Sequence, residues 1–484
     1  MLSSMRLRWP FLALAAAAAV GATLILTRED GLPSPDELAV IDPDAKDPFA
    51  YDEGRRADFE RRAALGSSHV LYAKSPGGVV AAARRTERYR AQVEAAAPAG
   101  GVEADMLEAI VFLESAGRED AVADSKLEGA VGLTQILAET GRNLLGMRVD
   151  PARARRLSRR IGRAERRGDT PAADRLRARR RKVDERFDPV RSLEATGRYL
   201  RFARERLGRE DFAITAYHMG VGNLQRAIAD FTDYGSAPRS YAELYFGSSL
   251  SSKVAAYRRL AALGDDSSTY LWRVLAAREI MRAFRDDRST LERTADLQTA
   301  KNSAEEVLHP EEETQSFGDP EALEEAYRDG HIRAFPNSPR LLGLRRDPRM
   351  GELSRRLKQA PRLYRGLRPE AYALAAYMAK MVRSTGGSDA PLAVTSTVRD
   401  RQYQRLLLGR NREATSGYSL HTTGYAFDVL RSYRSRKQAL AFQFALDRLQ
   451  ALNLIAWVRE PSAIHITVSA DASRLEPLLR SAPG

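Results

Sequence analysis

The sequence predicts a multidomain chain, with an all-α domain in the centre and an α+β domain at the C-terminal end, held outside the cytoplasm by an apolar N-terminal segment. Three observations carry this. Between about 70 and 290 the chain runs in alanine- and arginine-rich amphipathic stretches with almost no alternation of apolar and polar residues, the signature of helices. Strand-like runs gather instead near the end, LAVTSTV at 392–398, YAFDVL at 425–430 and AIHITVS at 463–469, around helical stretches at 368–384 and 436–452. At the start, Arg6 and Arg8 precede the apolar run FLALAAAAAVGATLIL at 11–26, which Thr27-Arg28-Glu29-Asp30 closes.

Length supports the division, because 484 residues exceed the size at which one hydrophobic core keeps growing, and 43% hydrophobic residues suffice for two. The expected order is a signal peptide or membrane anchor at 1–30, a Pro-rich acidic spacer at 31–69, the helical domain at 70–291, a connector at 292–365 and the α+β domain at 366–484. The apolar run is at the short end for crossing a bilayer. Cleavage and retention both stay open, with the anchor favoured by the polar stop after Leu26. Either way the basic residues stay in the cytoplasm and the rest lies in the periplasm or cell envelope. The absence of cysteine excludes disulfides, a lipoprotein anchor and thiolate metal sites. The 77 Lys and Arg against 64 Asp and Glu leave a charge of +13, which attracts polyanions. Export makes nucleic acid a poor partner and an anionic wall polymer a good one.

In MLEAIVFLESAG (106–117) Met106, Leu107, Ile110 and Val111 mark a buried helix face, and Glu114 continues that stripe. Burial at its end disfavours the ionised carboxylate, the condition for a glutamic acid to protonate a glycosidic oxygen near neutral pH. Downstream, EGAVGLTQI (128–136) is a small-residue loop that a polymer can approach closely, and AYHMGVGNL (216–224) sets Tyr217 beside a glycine-rich turn. Tyr217 reads equally as a core tyrosine or a residue of the cleft. The arginine-rich stretch 151–186 reads as an inserted helical hairpin. It is either a solvated face or a wall-polymer contact, and its lack of aromatic residues argues against base stacking.

Glu114-Ser115, Gly129-Ala130-Val131-Gly132-Leu133-Thr134-Gln135-Ile136 and Ala216-Tyr217-His218-Met219-Gly220-Val221-Gly222 together resemble the soluble lytic transglycosylase family, over roughly 90–290. The resemblance implies a lysozyme-like all-α fold and cleavage between N-acetylmuramic acid and N-acetylglucosamine of peptidoglycan. Glu114 would be the single catalytic carboxyl, first an acid to the leaving oxygen and then a base to the muramic acid 6-hydroxyl, so that a 1,6-anhydro ring closes. Ser115, Gln135 and Tyr217 are the candidate substrate contacts. Thr134 stands where the family has methionine and His218 where it has asparagine. The longer stretch after Glu114 brings in Asp124 and Glu128, either of which would offer the second carboxylate of a lysozyme-type hydrolase. A wall-binding or scaffold protein is the non-enzymatic alternative.

In SGYSLHTTGYAFDVL (416–430) His421 and Asp428 lie seven residues apart, and in AIHITV the alternation of Ile464, Ile466 and Val468 points His465 to the other strand face. Two imidazoles and a carboxylate, drawn from a chain with only six His, suit a catalytic zinc site with one position left for water. Ser-x-His-x-x-Gly-x-Ala-x-Asp at 419–428 resembles the zinc D,D-carboxypeptidases that share the Hedgehog fold, which makes the second domain zinc peptidase-like. That resemblance implies Zn2+ on His421, Asp428 and His465, Arg399 as oxyanion stabiliser, Ser419 as a substrate contact and stem peptides as substrate. Its general base falls three residues before the final His, where this chain has Ser462, and Glu460 is the nearest substitute, across a turn through Pro461. The module is therefore either a peptidase or a wall-binding domain on a peptidase fold.

Overall fold

A computed structural model describes residues 39–42, 44–123, 127–233, 235–335, 342–386, 389–409 and 417–481. The chain divides into two compact units. One is helical and comprises Phe49–Val307 with Leu446–Ile455; the other comprises Met1–Pro48, Leu308–Ala445 and Ala456–Gly484. The expected segment at 11–26 lies outside the described residues, and among those described no helix is long and apolar enough to cross a membrane.

The helical unit starts at Phe49, ahead of the expected boundary at 70, because the assigned spacer contains a helix, Arg56–Gly66, with Phe59 fully buried and packed edge-on against Tyr51 and Phe246. Its elements central to the site are α1 (Ala104–Ser115), the hairpin α2 (Pro151–Arg166) and α3 (Thr170–Val183), then α4 (Pro189–Leu207), α5 (Glu210–Met219) and α6 (Tyr270–Asp286). The starts of α2, α3 and α4 share one design. Asp150, Asp169 and Asp188 each accept a backbone N–H of the first turn, and Pro occupies one of its first two positions. Helix α4 crosses the helix Arg90–Gly100 where two glycines meet, since a Cβ on Gly100 would lie 3.0 Å from the Cα of Gly197. Along α6, Tyr270, Leu271, Trp272, Val274, Ala277, Ile280 and Met281 are buried, and the helix packs against α1.

The second unit is built on a five-stranded sheet. Its strands are β1 (Leu344–Arg346), β2 (Leu392–Ser396), β3 (Ala426–Leu430), β4 (Ile455–Arg459) and β5 (Ala463–Val468), in the spatial order β1-β2-β3-β5-β4. Strands β1 and β2 are parallel, whereas β2 with β3 and β3 with β5 are antiparallel. Two helices follow the expected stretches, α7 (Pro369–Gly386) and α8 (Arg436–Ala451). The expected loose connector is structured. It supplies β1, the helix Pro320–Arg328 and a core of Phe317, Leu323, Tyr327 and Ile332 against Leu363 and Tyr364. Gly318-Asp319-Pro320 opens that helix, with Asp319 accepting the backbone N–H of Ala322 at 3.0 Å.

Candidate functional site

Helix α1 carries a carboxyl out of a dense core. Leu107, Ile110 and Val111 are fully buried, each contributing roughly 1.5–3 kcal/mol, which offsets the cost of removing water from an acid in the last turn. Two successive left-handed residues stop the helix, Ala116 at φ 52° and Gly117 at φ 70°. Only glycine fits the second, because a Cβ there would meet the Thr86 nitrogen at 2.4 Å. Glu114 is half-buried just before this stop. The Tyr270 hydroxyl, at the start of α6, donates to Glu114 Oε1 at 2.7 Å. Burial pushes the Glu114 carboxyl up from 4.5 to about 7, outweighing the Tyr270 hydrogen bond and the Arg273 charge, which pull it down. Burial, and then the Glu114 charge, hold the Tyr270 and Tyr217 hydroxyls above their ordinary range, so both stay protonated donors. A second acid of the same helix, Glu108, is fully buried and paired with Arg285 at 2.6 Å and Arg90 at 3.1 Å, out of reach of any polymer.

The glycine-rich loop at 127–136 is held by one buried cation. Arg186 and Asp184 are both fully buried and form a two-point pair, Nε to Oδ1 at 3.0 Å and Nη2 to Oδ2 at 2.8 Å. The remaining guanidinium hydrogens go to the carbonyls of Gly129 at 3.0 Å, Ile136 at 3.1 Å and Leu127 at 2.7 Å, so the charge is fully satisfied. Gly132, at φ 81°, is required by the same contact, since a Cβ would fall 1.9 Å from the Arg186 carbonyl oxygen.

The expected substrate contacts fall differently. Gln135 adopts a left-handed conformation at φ 53° and donates Nε2 to the Gly132 carbonyl at 2.8 Å and more weakly to Ala121 at 3.3 Å, bracing the loop. The Tyr217 hydroxyl donates to the Thr134 carbonyl at 2.7 Å and meets Thr196 Oγ1 at 3.2 Å, while its ring stacks on Tyr270 at 6.4 Å. Tyr217 therefore ties α5 to the loop and backs the tyrosine that holds Glu114. Ser115, a candidate substrate contact from its place beside Glu114, is buried and donates to the Val111 carbonyl of its own helix at 3.1 Å, which spends its hydroxyl on the backbone. His218 stacks on Tyr270 at 5.1 Å and meets Ser267 Oγ at 2.9 Å. Glu128 is exposed and bonded to Arg155 at 2.7 Å, and Asp124 lies outside the described residues. The basic stretch at 151–186 is a hairpin, α2 against α3, with its own small core of Leu157, Ile161, Ala164, Ala173 and Leu176.

In the second unit, antiparallel register places Asp428 of β3 directly opposite His465 of β5. His465 Nδ1 lies 2.9 Å and His421 Nε2 3.2 Å from Asp428 Oδ1, and the ligand atoms of all three residues lie within 4.8 Å of one another. His421 Nδ1 sits 2.8 Å from the Thr397 carbonyl, which makes it a protonated nitrogen, and Nε2 faces Asp428. Burial, with Arg399 nearby, pushes His421 down to about 4, the neutral form a metal ligand needs. Arg399 lies 3.5 Å from Asp428 Oδ2 and donates to Ser396 Oγ at 2.6 Å and Gln404 Oε1 at 3.0 Å. A cavity of about 320 Å³ is lined by Asp428, Arg399, Ser396, Glu460 and Ser462. Glu460 thus shares a cavity with Asp428, its backbone N–H closing the turn to the Ala463 carbonyl at 3.0 Å. Ser419 is buried, and its carbonyl accepts the N–H and hydroxyl of Thr422 at 2.9 and 2.6 Å.

Sequence reasoning missed Tyr270, the side-chain hydrogen-bond partner of the Glu114 carboxyl among the described residues, and the Arg186–Asp184 pair. Tyr270 stands in a run of apolar helix residues 156 positions away, with no local mark of its role.

Residues 169–238 match the family described as Transglycosylase SLT domain, which supports peptidoglycan lytic transglycosylase activity in general and, with it, action outside the cytoplasm. The matched residues run from the second hairpin helix through α4 and α5 and contain Tyr217. Glu114 and the loop at 129–136 lie ahead of them. A search of curated proteins returns no match.

Proposed function

We propose that the protein is an exported enzyme that cleaves the N-acetylmuramic acid to N-acetylglucosamine bond of peptidoglycan by lytic transglycosylation, with Glu114 as its acid and base. The observation that carries this is the half-buried Glu114 carboxyl, raised to about 7 and held on one oxygen by Tyr270. As an acid it gives its proton to the departing glycosidic oxygen while that bond to the muramic anomeric carbon breaks. The carboxylate then takes the proton of the muramic 6-hydroxyl as its oxygen bonds to the same carbon, so Glu114 ends reprotonated. Tyr270, a donor throughout, bonds Oε1 in both states and leaves the exchangeable proton to the other oxygen. Transglycosylation is preferred to hydrolysis because Glu128, the described candidate for a water-activating carboxylate, is exposed and bound by Arg155. The run at 11–26 would export the chain and retain it at the cytoplasmic membrane.

In the second unit His421, Asp428 and His465 suit a zinc ion, with donor atoms already gathered and the His421 tautomer set by Thr397. Zinc would supply Lewis acidity and a nucleophile generated from water near neutral pH. Glu460 is the candidate to hold a proton during stem-peptide cleavage, and Arg399 the group to steady a developing oxyanion.

Mass spectrometry of purified sacculi digested with the full-length protein tests the reading. Fragments ending in 1,6-anhydromuramic acid are expected. Reducing ends point to a hydrolase, and the absence of soluble fragments removes the enzymatic assignment. Repetition with a chelator reports any stem-peptide cleavage separately.

A further inference from the structure

A cavity of about 580 Å³ opens on the segment that follows the catalytic helix, lined by Arg85, Arg88, Gly117, Arg118, Glu119 and Asp120 among others. Its wall begins three residues beyond Glu114. The two acids in it are already engaged. Glu119 is bonded by Arg181 at 2.6 Å and by the Tyr89 hydroxyl at 3.3 Å, while Asp120 is paired with Arg180 and, at 3.2 Å, with Arg177. All three of those arginines belong to the hairpin helix α3, so the hairpin neutralises the acids and leaves Arg85, Arg88 and Arg118 without a counter-charge.

Those arginines are held but not paired. Arg85 donates to the carbonyls of Pro76 at 2.7 Å and Ala116 at 3.0 Å, and Arg118 donates Nε to the Ser115 carbonyl at 3.0 Å. Among the described residues none of Arg85, Arg88 and Arg118 forms an ion pair, and Arg88 and Arg118 are exposed. All three line the same cavity. Burial, followed by the charges of Arg118 and Arg88, holds the Arg85 guanidinium below its ordinary range. Mutually repelling guanidinium forks around an open cavity are relieved by a planar anion with two acceptor oxygens.

We propose that this cavity is a subsite for a free carboxylate of a stem peptide borne by the glycan strand under cleavage, an inference that rests on the peptidoglycan reading above. The hairpin builds the subsite by withdrawing Glu119 and Asp120 from it. Arg88 and Arg118 are then specificity residues, which hold the peptide while Glu114 acts on the sugar.

Two measurements on the full-length protein test this. In the first, a synthetic stem peptide with free carboxylates and its carboxamide analogue are titrated calorimetrically. The acid form is expected to bind and the amide form not to, with binding lost in Arg88→Ala/Arg118→Ala and partly kept in Arg118→Lys. Failure of the wild type to bind the acid peptide, or equal binding of both forms, overturns the proposal whether or not the protein cleaves glycan. In the second, the double variant is compared on peptide-bearing strands and on strands stripped of peptide by an amidase. A fall of roughly ten-fold or more in kcat/KM on the former, with the latter unchanged, supports the subsite. Equal loss on both strands, or none, refutes it. A wild type that binds the acid peptide but cuts neither strand defeats the transglycosylase reading and leaves the subsite standing.

Discussion

At Glu114 the fold strips water from a carboxyl and returns one tyrosine hydroxyl, so the neutral acid is favoured and the group is pushed up to about 7. At Asp428 burial acts in the same upward direction, yet the imidazoles of His421 and His465 hold the carboxylate well below its ordinary range. Two desolvated carboxyls are thus shifted in opposite directions because of their neighbours. The first suits proton transfer to a leaving oxygen, and the second suits holding a cation. Burial alone therefore does not identify a catalytic acid. Glu108 makes the same point within α1, where two arginines occupy a carboxylate that no solvent reaches.

The comparison breaks most visibly if each site fails to control its own chemistry. Changing His421 and His465 together to Ala should take bound zinc, measured by metal analysis, from about one ion per chain to none while glycan cleavage continues. A folded wild type free of zinc after zinc loading would remove the metal from the account. Glu114→Gln should lower release of soluble glycan by about a hundred- to ten-thousand-fold and leave zinc content unchanged. Turnover comparable to wild type would sink the acid assignment.

Next in size is the scaffold of the glycine-rich loop. Arg186→Met leaves Asp184 buried without its partner, and a loss of about 3–5 kcal/mol is expected in urea unfolding. A change under about 1 kcal/mol would show that the loop is held otherwise.

Glu114 also makes stability depend on pH. Its pKa rises on folding from 4.5 to about 7, so its contribution is fully present below 4.5 and is lost as pH rises through about 7. Glu114→Gln, which has no charge to desolvate, should be more stable than wild type above pH 7 by about 2 kcal/mol, allowing for partial exposure, with the advantage vanishing in acid. Melting curves across that range with a constant difference would contradict a buried titrating carboxyl. The smallest effect is expected from Tyr270→Phe. The hydrogen bond it removes favours the carboxylate, so the alkaline limb of the activity profile should move to higher pH and the rate should fall several-fold. An unmoved limb would separate Tyr270 from the titration of Glu114.

What could be read from residues alone is what local spacing encodes. Helical periodicity placed Glu114 at the end of an apolar stripe, and alternation placed His465 on the strand face opposite Ile464, Ile466 and Val468, because side-chain direction repeats every 3.6 residues in a helix and every second residue in a strand. The helical centre and the α+β end followed from the same periods. Composition misled where polar and proline residues did structural work. The spacer contains the helix that buries Phe59, and the connector contains both a capped helix and an edge strand of the sheet. Tertiary structure alone decided the choice of Tyr270 as the partner of Glu114, the diversion of the Tyr217 hydroxyl to the Thr134 carbonyl and the capture of Glu119 and Asp120 by the hairpin. Each depends on a contact between distant segments. Such contacts leave no trace in the spacing of neighbours, since they arise only when packing brings remote residues together.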